Sequence, residues 1–292
     1  MTGTSAVRLE GLCGPSPGDW VRSGPRSGGI ERIEAYFSGH AYDPHRHDTY
    51  AVGYTVTGVQ AFEYRGARAA SASGNAMVLH PDEVHNGRAA VEEGFLYRML
   101  YIAPGAVRDA LGERAAALPF VSSAVSTDER LVAAIRRAFE DFDRPPEPLE
   151  SDQILLSVAE ELLRLDPSAA RARPLQPACA AAMKRVRSYL DANFRRVVHS
   201  SELESVAGLD RFALARQFRS GFGTSPYRYL TMRRLDAARA AIASGLPLAD
   251  CAADSGFSDQ SHMTRQFKRA YGMSPGRWRT ICGAAARGAP AS

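Results

Sequence analysis

The 292-residue chain carries the triplet Arg-Gln-Phe twice, as Arg216-Gln217-Phe218 and Arg265-Gln266-Phe267. Arginine and glutamine are the side chains best shaped for bidentate contact with purine edges in the major groove of DNA. The triplets sit in a repeated frame, AGLDRFALARQFRSGFGTSP and SGFSDQSHMTRQFKRAYGMSP. One copy would be weak evidence, because a glycine turn followed by an Arg-x-Phe helix is common. A second set of reactive types is His45, His47 and His85. Three neutral imidazoles can hold zinc or iron with open positions. They can equally line a polar pocket or tie loops together by hydrogen bonds. The pocket is the expectation adopted here, with no metal and no cofactor.

Each frame needs two short helices and a tight turn. Gly208 and Gly256 fall at the turn, where a left-handed residue is cheap only for glycine. Leu209 and Phe257 follow as plugs between the helices. Leu214 with Phe218, and Met263 with Phe267, are i, i+4 pairs that bury one face of the second helix. The opposite face then carries Arg211, Phe212, Ala215, Arg216 and Arg219 in the first unit. In the second it carries Gln260, Ser261, Thr264, Arg265 and Lys268. Pro226 and Pro275 suit the first turn of the next helix. The segment Pro226–Ser244 between the units is amphipathic, with Tyr229, Met232, Leu235, Ala238 and Ile242 on one stripe. At ~1.5 Å per residue it spans roughly 28 Å. One duplex turn is about 34 Å, so a stiff helix of this length can seat two reading helices in successive major grooves.

Charge supports a polyanion partner for one half only. Residues 1–170 hold 16 basic and 24 acidic residues, net −8, and residues 171–292 hold 20 and 8, net +12. The basic half is therefore the nucleic-acid candidate. No run of eighteen apolar residues is present and the N-terminus lacks an apolar leader core, so a cytoplasmic protein is expected. Cys13, Cys179, Cys251 and Cys282 have no metal spacing and are expected as reduced thiols.

The fold expected is α+β with two domains. Residues 1–28, rich in Gly, Pro and Ser, form a disordered or loosely ordered arm. Residues 29–166 form a β-barrel with trailing helices. Here AVGYTVTGVQAFEY is read as two strands about a turn at Thr57-Gly58, with NAMVLH and LYRMLYI as further strands. One trailing helix spans 127–142, capped by Ser126-Thr127-Asp128 and ended by RPPEP. Another covers Asp152–Leu165. Residues 167–177 are a linker, 178–282 an all-α domain, and 283–292 a tail.

Residues 180–280, and GFSDQSHMTRQFKRAYGMSPGRWR above all, closely resemble the DNA-binding domain of the AraC/XylS family of bacterial regulators. The stretch PHRHDTYAVGYTVTGVQAFEYRG with GNAMVLHPDEVHNGRA resembles that family's cupin-like sensor domain. The resemblance implies a sequence-specific, double-stranded-DNA-binding transcriptional regulator. It implies an activator working with RNA polymerase and answering to a small-molecule effector in the barrel, and no enzyme. It assigns base reading to Phe212, Ala215, Arg216, Gln260, Ser261 and Arg265. Arg211, Arg219, Thr264 and Lys268 are left for phosphates. His45, His47, Tyr54 and His85 are the expected pocket residues. Where the family usually has a small alanine in the leading helix of the first unit, this chain has Glu204. A metal-binding cupin would also carry a Glu soon after His-x-His, where Ala51 and Val52 stand here. The helices within 127–165 either form a homodimer or pack on the barrel. A metal-dependent cupin enzyme and a protein-interaction module are the rival classes.

Overall fold

Period-two burial builds the first domain. The computed structural model describes residues 18–171 and 177–288. Among the described residues there are nine antiparallel strands: β1 (Trp20–Ser23), β2 (Ile30–Phe37), β3 (His40–His45), β4 (Tyr50–Tyr64), β5 (Ala67–Ala72), β6 (Ala76–Leu79), β7 (His85–Ala89), β8 (Phe95–Ile102) and β9 (Val125–Ser126). The main path runs β1-β2-β8-β4-β6-β9, while β5 and β7 join β4, and β3 joins β7. Alternate residues of β4 divide between the two faces. Ala51 and Phe62 face inward with Phe37, Phe95, Tyr97 and Met99. Tyr50, Val52 and Tyr54 face outward under the helices.

The expected turn at Thr57-Gly58 is absent. β4 is one fifteen-residue strand. It pairs with β6 and β8 over its first part and with β5 and β7 over its second. A register shift lies between Thr55 and Thr57, and Gly58 has φ 73°. A bulge at this point bends the strand from one sheet into the other. A Cβ on Gly58 would stand 2.0 Å from the Gly94 carbonyl oxygen. The glycine is required by close approach, which a turn reading cannot distinguish.

The outer face is covered by α1 (Pro104–Leu111), α2 (Glu129–Arg137) and α3 (Pro148–Leu165). Asp128 caps α2, accepting from the backbone amides of Arg130 and Leu131. α2 ends at Arg137, and Leu131, Ile135, Ala138 and Phe142 are buried as one stripe continuing into turns. α3 starts four residues before the expected Asp152, because Pro148 can occupy a first-turn position at no hydrogen-bond cost. The described end of the expected arm is a strand: Trp20–Ser23 pairs in register with β2, and Asp19 meets Arg277 at 3.5 Å. Residues 1–17 lie outside the described residues.

The expected linker begins as a short helix, α4 (Ser168–Arg171); Ala116 and Ala117 donate to its Ala169 carbonyl. The second domain holds α5 (Pro177–Asn193), α6 (Ser200–Ala207), α7 (Arg211–Phe222), α8 (Pro226–Ala243), α9 (Leu248–Asp254), α10 (Gln260–Tyr271) and α11 (Pro275–Gly288). The last helix thus runs past Ile281 into the expected tail. Two helix-turn-helix units result, α6–α7 and α9–α10, joined by α8. Gly208 and Gly256 take φ 67° and 80° at the turns. Glu204 finds a use here: its carboxylate accepts the Arg211 amide at 2.8 Å and so holds the start of α7. The first unit packs on its own core of Leu214, Phe218, Phe222 and Leu230 with α5. The second unit's core, including Leu235, Met263, Phe267 and Trp278, is continuous with the barrel interior.

Candidate nucleic-acid interface and effector cavity

The two reading helices are built alike. Asp210 accepts from the Phe212 and Ala213 amides at the start of α7, and Asp259 from the His262 amide at the start of α10. Both helices close on left-handed glycines, Gly223 and Gly272. Leu214 and Phe218, then Met263 and Phe267, bury one face. On the other, Arg211, Phe212, Arg216 and Arg219 of α7 are exposed, as are Gln260, Ser261, Arg265 and Lys268 of α10. Ala215 and Thr264 are half-buried. Phe212 is 64% exposed, an unusual state for a phenylalanine, with the Arg211 guanidinium over its ring.

The C-terminal ends of both helices meet the barrel. Lys268 pairs with Asp43 at 2.9 Å, and Arg219 with Asp82 at 3.5 Å. The Thr224 hydroxyl donates to Asp82 at 2.9 Å. The Asp43 amide donates to the Gly272 carbonyl at 2.8 Å, and a Cβ on Gly272 would come within 2.6 Å of the Asp43 oxygen.

Beside this contact lies a cavity of about 430 Å³, walled by both domains. From the barrel come Glu31, His45, His47 and Asp48; from the helical domain come Arg233, Arg239, Tyr271 and Trp278. Its charged wall is the joint between the domains. Arg239 pairs with Glu31 at 2.6 Å and Arg233 with Asp48 at 3.1 Å. Asp236 bridges both arginines at 3.8 and 3.3 Å. The Arg239 guanidinium also lies over the Tyr271 and Trp278 rings.

Residues 27–159 match the family model of the AraC-like ligand binding domain, and residues 203–281 match that of a helix-turn-helix domain. The chain belongs to the AraC family of transcriptional regulators. The uncharacterized HTH-type transcriptional regulator YbfI of Bacillus subtilis is 26% identical over 236 residues, covering 79% of this chain and 86% of the relative. ToxT of Vibrio cholerae shares the two-domain fold at a TM-score of 0.63 and 10% identity, over 87% of this chain and 99% of that one. A ToxT structure with bound unsaturated fatty acid aligns at a TM-score of 0.62 and 11% identity, over 87% of this chain and 95% of that one. This AraC-family chain is thus a DNA-binding transcriptional regulator with a ligand-binding domain. Among the described residues no helix is long and apolar enough to cross a membrane.

The regulator's three histidines cluster as the sequence suggested. The His45 and His85 ring centroids are 4.2 Å apart, and those of His47 and His85 4.9 Å. Each Nδ1 meets a backbone carbonyl two residues away, of Asp43, Thr49 and Glu83 respectively, at 2.8–3.0 Å. Among the described residues no group of three His, Cys, Asp or Glu side chains is arranged to hold a metal ion. His45 and His47 line the cavity, whereas His85 stands behind them and opens on another groove. Tyr54 is a correction: its hydroxyl accepts from Arg98 and its ring meets Phe139, under α2. Strand parity puts it on the outer face, two residues from Val52. His80 is held structurally between Tyr64 and the Val121 amide. Sequence reasoning missed Glu31, Asp48, Asp236, Arg233 and Arg239. Arg233, Asp236 and Arg239 share a local i, i+3 spacing that marks no more than a helix-face ion pair, and their barrel partners lie up to 208 residues away.

Burial pushes His45 and His47 well below the ordinary imidazole range, and brings His80 and His85 down to about 4. Burial pushes Glu31 up to about 7 and Asp48 up to about 6. The two sets oppose each other. Between about pH 6 and pH 4.5 the unfolded chain binds the histidine protons that the fold refuses, which lowers stability as pH falls. The fold holds the two carboxylate protons that the unfolded chain releases, which raises it. Four imidazoles outweigh two carboxylates. Urea unfolding should therefore show stability falling across this interval, by about 1.4 kcal/mol per pH unit for each net proton. His85→Phe should flatten the slope; an unchanged slope would mean that His85 is not held neutral.

Proposed function

We propose that α7 and α10 read adjacent major-groove segments, and that an effector in the interdomain cavity sets how freely they do so. In this reading Phe212, Ala215 and Arg216 meet bases in one half of the site, and Gln260, Ser261 and Arg265 in the other. Arg211, Arg219, Thr264 and Lys268 meet phosphates. α8, at 18 residues and about 27 Å, sets the separation. Residues 29–166 act as the effector domain and 178–282 as the DNA-binding domain, with the segment between as their linker.

One observation carries the regulatory part. The cavity's charged wall consists of the ion pairs that join barrel to α8, so a ligand entering it must alter the balance of that joint. A ligand with different affinity for the joined and separated arrangements shifts their populations. The fatty-acid-bound ToxT structure supports a small organic effector as the ligand type. His45 and His47 belong to the site in this reading, with His85 supporting them.

The family resemblance supports activation through RNA polymerase, in the cytoplasm where the chromosome lies. A homodimer through α3 is supported by an apolar seam at seven-residue spacing. Leu149 is 82% exposed, and Leu156 and Leu163 are half-buried. Membership of a family of regulators favours this role over the enzyme class.

Selection of bound duplexes from a random pool, followed by titration, tests base reading. Arg265→Ala should cost about 1–3 kcal/mol and relax preference at one base position. An equal loss across all sequences would make Arg265 a phosphate contact instead. Leu156→Glu should convert dimer to monomer in sedimentation; a variant that sediments like the parent would rule out this seam.

A further inference from the structure

Among the described residues, two buried acceptors in the cavity region have no donor. Asp48 Oδ1 and His47 Nε2 lie without a hydrogen-bond partner, in residues only 3% and 4% exposed. The reason is geometric. His47 turns its Nδ1 to the Thr49 carbonyl at 2.8 Å, so that the proton sits there and Nε2 keeps a lone pair. Asp48 gives Oδ2 to Arg233 and leaves Oδ1 over. Buried acceptors of this kind are normally satisfied, and an orphan in a cavity calls for a ligand donor.

We propose that the cavity takes a ligand bearing a primary ammonium group on an aromatic or aliphatic body, with Asp48 Oδ1 and His47 Nε2 as the ammonium's acceptors. The inference rests on the cavity being the effector site.

The charges favour a cation over an anion. The arginines are already committed. Arg233 is shared between Asp48 and Asp236, Arg239 between Glu31 and Asp236, and Arg26 reaches Glu31 at 2.9 Å. A ligand carboxylate would meet these three acids together with the lone pair of His47 Nε2. Burial holds Glu31 and Asp48 at about 7 and about 6, above the ordinary carboxylate range in spite of the arginines beside them, so a further positive charge would favour their ionised forms. An ammonium supplies it, and the tyrosine and tryptophan faces in the wall add a cation–π surface. An orphan donor, Arg233 Nε, is left for a hydroxyl or carbonyl elsewhere on the ligand. An ammonium at Asp48 competes with Arg233 for the same carboxylate. Binding of such a ligand would therefore loosen the barrel from α8.

The test is calorimetric titration of the full chain with three probes of matched shape: tryptamine, indole-3-ethanol and indole-3-acetate. Tryptamine should bind about tenfold or more tightly than the other two. Its affinity should fall from about pH 8 to about pH 5.5 as Glu31 and Asp48 take up protons. The other charged groups facing these two acids are Arg26, Arg228, Arg233, Arg239 and Asp236. Asp48→Asn should weaken tryptamine about tenfold, and the wild-type pH profile tests the same assignment without any variant. Tighter binding of the acetate, or affinity rising toward acid, would overturn the ammonium assignment while leaving the cavity as effector site. Equal binding of all three would likewise overturn it. Failure of all three to bind would count against the assignment and the effector site together.

Discussion

Ion pairs between an acidic barrel and a basic helical domain fix how this regulator's two halves meet. Asp19, Glu31, Asp43, Asp48 and Asp82 of the barrel meet Arg277, Arg239, Lys268, Arg233 and Arg219 of the helical domain. In each pair the acid comes from the half with net −8 and the base from the half with net +12. Buried pairs such as Asp48–Arg233 contribute little net stability, since desolvation offsets their attraction. Removing one partner is what costs, because the other is left charged in a dry place. The pairs therefore fix where the domains sit more than how firmly they fold. The basic half has two claimants, the barrel carboxylates and the phosphates of a duplex.

The units are coupled to the barrel unequally. The second shares a continuous apolar core with the barrel interior through residues such as Met232, Met273 and Trp278. The first keeps its own core around Phe218. Its ties to the barrel domain are mainly polar, including Arg108 donating to the Ser220 and Gly221 carbonyls and Thr224 to Asp82, beside a small packing contact of Phe222 and Gly223 with Gly105, Pro81 and Pro104. Polar contacts exchange with water more readily than a shared core separates. The second unit is thus the one whose apolar burial depends on the barrel, and the first keeps a core of its own.

The helix-turn-helix duplication was legible in the sequence because its causes are local. Caps, glycine turns and i, i+4 pairs lie within a few residues of one another. The barrel was legible as strands but not in its connections. Gly58 reads as a turn when only its neighbours are known, and as a bend once Gly94 is beside it. Tyr54 and His47 looked alike as pocket residues; His47 lies in the cavity wall between β3 and β4, whereas the pleat of β4 turns Tyr54 to the outer face, and the register that sets the pleat is a long-range property. Glu204 looked like a misfit in α6, yet it meets the Arg211 amide seven positions on. The cavity's acids and arginines had no local mark beyond the i, i+3 spacing of Arg233, Asp236 and Arg239, since the fold alone brings Glu31 to Arg239.

Competition between the barrel carboxylates and DNA for Lys268 and Arg219 is the central claim. The most direct measurement is the equilibrium affinity of the full chain for a pool-selected duplex, compared with that of the Asp43→Asn, Asp82→Asn double variant. The double variant is predicted to bind more tightly, because Lys268 and Arg219 would each lose a carboxylate that competes with phosphates. It should also show a steeper dependence on salt, by up to about one unit of log–log slope per added phosphate contact. Equal or weaker binding, with an unchanged salt slope, would contradict the competition and leave the ion pairs as packing contacts only.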